Sequence, residues 1–184
     1  GKFKGTKGEG PEYASIGSLG TKLGNIDLQN IIYATELCNR YGLDTISTGS
    51  YIAWAMELFQ RGIIDQEMAE IPLSWGDGET ILQLIHQIAM RKTFGNILAE
   101  GALAKKIFGE VSKDYLLDVK NFPIEMTDER LPKSFALGMA TSTRGACHMR
   151  SRPSLDILGA LMAVRGVFNS WEAMPMNFIF VSSI

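Results

Sequence analysis

Asp27-Leu-Gln-Asn-Ile-Ile-Tyr-Ala-Thr-Glu-Leu-Cys-Asn-Arg-Tyr-Gly42 is the stretch on which the fold class turns. Leu28, Ile31, Ile32, Thr35 and Cys38 recur at helical spacing, Asp27 is a residue that caps helix starts, and Gly42 is one on which helices end. The stretch predicts an amphipathic helix bounded at both ends by its own chemistry. Beyond it, Leu43-Asp-Thr-Ile-Ser-Thr-Gly49 reads as an ordered turn, and Ser47 or Ser50 begins a second helix through Ile52, Met56 and Phe59 that Gly62 stops. The two form a helical hairpin.

The same periodicity continues downstream. Asp77 or Glu79 starts a third helix with Ile81, Leu82, Ile85, Ile88 and Ala89 on one face, and Gly95 separates it from a fourth around Ile97 to Phe108. From Tyr115 to Phe122 the pattern shifts to apolar-polar alternation, the best strand candidate. Pro123, Asp128, Arg130 and Pro132 mark a loop. A short helix follows over Ser134 to Thr141, and Ser154 begins a last one through Leu155, Leu158, Leu161 and Val164. The chain therefore reads as mainly α and multi-helical, with minor β. Its parts are a flexible N-terminal segment (1–10), a helical region (11–160) with room for two subdomains divided near 110–130, and an apolar terminus (161–184). Within that terminus Met174 to Ile184 is interrupted by Pro175 and too short to cross a bilayer as a helix, which suits a buried strand or an end lacking its packing partner.

The 184 residues suffice for one sizeable core or two small ones. A formal charge of -2 with both signs dispersed argues against nucleic acid or a membrane surface as the main partner. Two cysteines, Cys38 and Cys147, make no disulfide framework and fit a reducing cytoplasm. They are also too few for a [4Fe–4S] cluster, and no Cys-x-x-Cys pair offers a zinc site. The first residues, Gly-Lys-Phe-Lys-Gly-Thr-Lys-Gly-Glu-Gly10, have neither an initiator Met nor the apolar core of a signal peptide, so they read as an internal or processed start. They also lack the Gly-Lys-Ser/Thr ending of a phosphate loop.

Several side chains carry chemistry. Asp44, Thr45, Ser47 and Thr48 sit between two glycines, where short polar groups either bind a heterocycle or phosphate, or cap a helix. Gly145-Ala-Cys-His-Met-Arg150, after Ala140-Thr-Ser-Thr-Arg144, has no apolar periodicity and joins small residues to an imidazole and two guanidiniums, as a pocket wall would. His148 and Glu12 are candidates for acid–base work, against the plainer readings of a carbonyl-bound imidazole and a solvated loop carboxylate. Arg144 and its neighbours to Arg152 can hold an anion or lie in solvent. Cys147 could be made a thiolate by those arginines, but no orienting partner is in view. Glu36 and His86 could supply a metal ligand pair, which is too few for a site without further ligands.

The order of segments is more specific than any one of them. Gly10-Pro-Glu-Tyr13, Glu36-Leu-Cys-Asn39 with Gly42-Leu-Asp-Thr-Ile-Ser-Thr-Gly49, Trp75-Gly-Asp77, Leu98-Ala-Glu-Gly101 and Ala140-Thr-Ser-Thr-Arg-Gly-Ala-Cys-His148 together resemble the C-terminal region of the tungsten-containing aldehyde:ferredoxin oxidoreductase family, over roughly residues 9 to 160. The resemblance implies two helical domains covering a tungsten or molybdenum bis-pterin cofactor held on an N-terminal β domain, next to a [4Fe–4S] cluster. It implies oxidation of aldehydes with ferredoxin as electron acceptor, in an anaerobe's cytoplasm and a homo-oligomer. Asp44, with Thr45, Ser47 and Arg144, would be cofactor-binding, Glu12 and His148 would be catalytic at the metal centre, and Glu36 and His86 would bridge subunits through a metal. The family's three-cysteine motif lies before Gly-Pro-Glu-Tyr, and its fourth cluster cysteine and second pterin motif lie after the His148 region, where this sequence departs from the pattern past Ala160. The chain thus reads as a fragment that is inactive alone, against the alternatives of a non-catalytic dimerising module or part of an aromatic acyl-CoA reductase relative.

Overall fold

A computed structural model describes residues 3–8, 10–126, 133–147 and 149, with only the backbone at 133 and 134. Contacts divide the chain into two compact units, Gly1–Met126 and Thr127–Ile184. The first unit is helical: α1 (Tyr13–Leu19), α2 (Leu28–Tyr41), α3 (Thr45–Gln60), α4 (Gln66–Ala69), α5 (Gly78–Met90), α6 (Thr93–Leu98) and α7 (Lys105–Phe108) precede a minimal hairpin of β1 (Asp118–Val119) and β2 (Phe122–Pro123). In the second unit α8 (Lys133–Thr141) is described together with the turn that follows it.

The mainly α class is as the periodicity predicts, and α2 begins and ends where its residues say it should. The Asp27 carboxylate accepts the Gln29 N–H at 3.0 Å. At the other end Gly42 takes φ 68°, which costs glycine nothing, so that its own N–H and that of Leu43 can satisfy the carbonyls of Asn39 and Cys38. The helix buries Ile31, Ala34 and Cys38 against its neighbours and leaves Leu28 and Ile32 partly exposed.

Four expectations need correction. The second helix starts at Thr45 rather than at Ser47 or Ser50, because Asp44 caps it, so most of the expected turn is helical. The break expected at Gly95 lies at Arg91–Thr93, where Arg91 and Thr93 adopt φ 50° and 48°, and Gly95 is inside α6. Its missing Cβ serves packing: a methyl there would run into the Gln87 backbone of α5. The fourth helix, expected as one piece to Phe108, is divided into α6, a 3₁₀ turn over Gly101–Ala104 and α7, since Gly101 takes φ 59°, and Gly109 at φ 87° ends α7. The single strand over Tyr115 to Phe122 is two two-residue strands, with Asp118 opposite Pro123 and Val119 opposite Phe122. α1 and α4 go beyond what the pattern announced. The helix over Ser134 to Thr141 is present as α8, whereas the helix expected from Ser154 and the terminus 161–184 lie outside the described residues.

The first unit has one core. Trp54 of α3 is at its centre, edge-on to Phe108 at 5.0 Å between ring centroids, and its indole N–H donates to the Ser112 carbonyl at 2.9 Å. Leu19, Leu23, Ile52, Met56, Leu58, Ile81, Leu84, Ile85 and Phe94 are fully or almost fully buried around it. At roughly 1.5–3 kcal/mol for each fully buried side chain of this size, they supply the main drive to fold. α3 is held close to α1, where a Cβ at Gly49 would strike the Ser18 carbonyl. Among the described residues no helix is long and apolar enough to cross a membrane.

Candidate cofactor-binding edge

The starts of α1 and α3 form one polar edge. Asp44 precedes α3, and its carboxylate accepts the Ser47 N–H at 2.7 Å while staying exposed to solvent. Both readings of this residue therefore meet: it caps the helix, and it faces outward. Thr45 and Ser15, in the first turns of α3 and α1, share a hydroxyl–hydroxyl hydrogen bond of 2.9 Å. Glu12 immediately precedes α1, is exposed, and makes no side-chain bond to the helix start. That one hydroxyl pair thus ties the start that carries Glu12 to the start that carries Asp44.

Beneath this edge lies Cys38, fully buried. Burial pushes its thiol up to about 12, with the Asp44 charge adding to the shift and a hydrogen bond with Thr48 opposing it. Burial and the raised proton affinity both work against Cys38 as a nucleophile near neutral pH. Thr48 is itself buried, so of the four short polar residues it faces the thiol rather than solvent.

Glu36 and His86 are engaged separately. The Glu36 carboxylate accepts from Arg40 Nε at 2.8 Å along α2, and His86 Nδ1 lies 2.9 Å from the Tyr41 hydroxyl. Among the described residues no three or more His, Cys, Asp or Glu side chains gather as a metal site. In the second unit, Arg144 is exposed in the turn after α8, and its backbone N–H donates to the Ser142 hydroxyl at 3.2 Å. Cys147 is buried there, 6 % exposed. His148, Arg150 and Arg152 lie outside the described residues.

The donor set decides what this edge can hold. One exposed carboxylate and the half-buried hydroxyls of Thr45 and Ser47 are hydrogen-bonding groups for the N–H and O–H groups of a polar heterocycle, while the Ser15 hydroxyl is buried behind them against Thr45. They are poor ligands for a soft metal, and the described thiols are buried. These residues fit the organic part of a cofactor and leave its metal to other groups.

Two residues here went unnoticed in the sequence. Ser15 could have been suspected, since Pro11 and the apolar Ile16 and Leu19 outline a short helix in which it is a polar interruption. Lys22 had no local signal. Its ammonium donates to Ser50 and to the Ile124 carbonyl, partners 28 and 102 residues away.

Comparison with known proteins supplies what geometry does not. A family model described as "Aldehyde ferredoxin oxidoreductase, domains 2 & 3" matches residues 1–171, running past Ala160. The chain is 44% identical over 158 residues to a tungsten-containing aldehyde ferredoxin oxidoreductase of Pyrococcus horikoshii, covering 82% of the chain and 26% of the relative. The protein so named in Pyrococcus furiosus is 42% identical over 156 residues, with 82% and 25% covered. An aliphatic sulfonate oxidoreductase, WOR-like subunit, of P. furiosus is 33% identical over 126 residues, with 68% and 20% covered. The chain spans about a quarter of the length of the curated tungsten-containing relatives it matches.

Proposed function

The chain belongs to the aldehyde ferredoxin oxidoreductase family, an oxidoreductase family, and on that premise we propose that it is a helical part of a tungsten-containing enzyme that oxidises aldehydes to carboxylic acids and passes electrons to ferredoxin. The observation that carries this reading is the family match over residues 1–171, and the start of α3, where the capping Asp44 stays exposed to solvent, is the edge that suits a cofactor. Asp44 and Ser47 would accept from ring N–H groups of a bis-pterin, and Thr45, held by the buried Ser15 hydroxyl, would stand beside them. In the second unit, Arg144 carries an exposed guanidinium suited to an anionic group of the cofactor.

When bound, the tungsten or molybdenum bis-pterin and a neighbouring [4Fe–4S] cluster, the latter ligated mainly by residues outside this chain, supply the redox chemistry. The protein's share is binding and protons. Conversion of an aldehyde and water into an acid releases two electrons and two protons, and we assign the movement of those protons to Glu12 and His148. Glu36 and His86 are each short of a full ligand set, so a metal held by them takes its remaining ligands from a second copy. In His86, Nδ1 is already occupied by Tyr41, which leaves Nε2 for the metal. Residence in the cytoplasm agrees with the free thiols of Cys38 and Cys147.

A second reading concerns the substrate. The relative named for aliphatic sulfonates, at 33% identity, favours treating aldehyde as one member of a wider substrate range, within which an aromatic acyl-CoA is another. The deciding experiment is the tungsten, molybdenum and iron content of the anaerobically purified chain, alone and in the longest natural protein that contains it. Metal in the longer form and none in the chain alone is the expected result. Metal in neither turns the assignment towards a non-catalytic dimerising module.

A further inference from the structure

Residues 118–126 run from the hairpin along α3 towards α1, and side chains distant in sequence pin them at three points. Asp118 is held by Lys105 at 2.6 Å, with both side chains largely buried. Ile124 offers its carbonyl to Lys22 Nζ at 3.0 Å and to the Ser50 hydroxyl at 3.3 Å, while Lys22 also donates to Ser50 at 2.8 Å. Met126 fills the space that a side chain at Gly17 of α1 would occupy. Between these pins the Ile124 N–H closes the hairpin on the Leu117 carbonyl at 2.9 Å.

α1 has seven residues and no side-chain bond at its start, far below the length at which a helix holds itself in water. Its position therefore depends on what is packed around it: α2, α3 through Ser15–Thr45 and the Ser18–Gly49 approach, and the segment ending at Met126. Lys22 sits three residues beyond the end of α1 and ties that point to both partners at once, because Ser50 belongs to α3 and Ile124 to the segment.

We infer that residues 118–126 are a strap, latched by Lys22, that positions α1 and with it Glu12 against the start of α3. Lys22 is a positioning residue in this arrangement, and only the consequence for turnover rests on the role proposed for Glu12. Release of the latch loosens the strap and α1 together while the packing of α2 on α5 is kept.

Amide hydrogen exchange on the 184-residue chain tests this without cofactor or activity. In Lys22→Met the Ile124 and Ile16 amides are expected to exchange at least about tenfold faster, since both hydrogen bonds from a charged donor are lost, with amides inside α2 and α5 unchanged. Lys22→Arg, which keeps a cation able to donate to both partners, restores most of the protection. Unchanged exchange at Ile124 in Lys22→Met overturns the latch, and so does a uniform acceleration that includes α2 and α5. If Lys22→Met does not fold, Ser50→Ala decides: faster exchange confined to the same two amides supports the strap, and wild-type exchange there overturns it. The metal-content measurement plays no part in either outcome, so the latch and the proposed function can fail separately.

Discussion

At the scale of the residue, Asp44 has two duties that substitution can separate. Asp44→Ala removes the cap on α3, for which about 1 kcal/mol of stability is expected to be lost. Asp44→Asn keeps an oxygen for the Ser47 N–H and removes the charge, so stability should change by only a few tenths of a kcal/mol. If the carboxylate binds cofactor, Asp44→Asn in the longer protein lowers tungsten retention while its denaturation midpoint stays near wild type. Retention and midpoint falling together only in Asp44→Ala would assign Asp44 to the cap alone. Asp44 was legible because caps and ligand edges draw on the same few residue types, and for that reason the sequence left the choice between them open. Lys22 was not legible at all, since its partners at positions 50 and 124 meet it only once the chain has folded.

At the scale of the element, the sequence showed where α2 begins and ends because Asp27 and Gly42 act within a few residues of their targets. It misplaced the boundary between α5 and α6, because glycine has two uses, turning the chain and admitting a neighbour, and only the first has a local signature. Gly95 is of the second kind. A Cβ there meets backbone atoms of α5, which do not yield as a flexible side chain would. Gly95→Ala, which helix propensity alone would favour by about 1 kcal/mol, is expected instead to destabilise the chain by about 1–3 kcal/mol. Urea denaturation measures it, and a midpoint at or above wild type would show that α6 can shift at little cost. The hairpin was read as one long strand because its turn falls on Lys120 and Asn121, at φ 55° and 63°, with no glycine or proline to mark it, and α1 escaped because seven residues give barely two helical turns.

At the scale of the whole molecule, the mainly α class was legible because apolar periodicity sums over many residues, and the cofactor reading came from the order of five segments rather than from any one site. Two buried groups then set opposing responses of stability to alkali. Burial lowers Lys22 from 10.5 to about 8, against the pull of Glu125, so between those values the folded chain has released a proton that the unfolded chain still binds, and stability rises with pH. Cys38, raised from 9.0 to about 12, keeps its proton where the unfolded thiol has lost one, so its contribution falls over that range. Denaturation from pH 7.5 to 11 should therefore show stability rising first and then declining. Lys22→Met removes the rise and Cys38→Ala the decline, and identical profiles in all three proteins would contradict both environments. The burial of Cys38 also has a kinetic meaning. A thiol-reactive reagent can reach that sulfur only when α2 and α3 part, so the rate of Cys38 alkylation under native conditions measures how often the base of the polar edge opens.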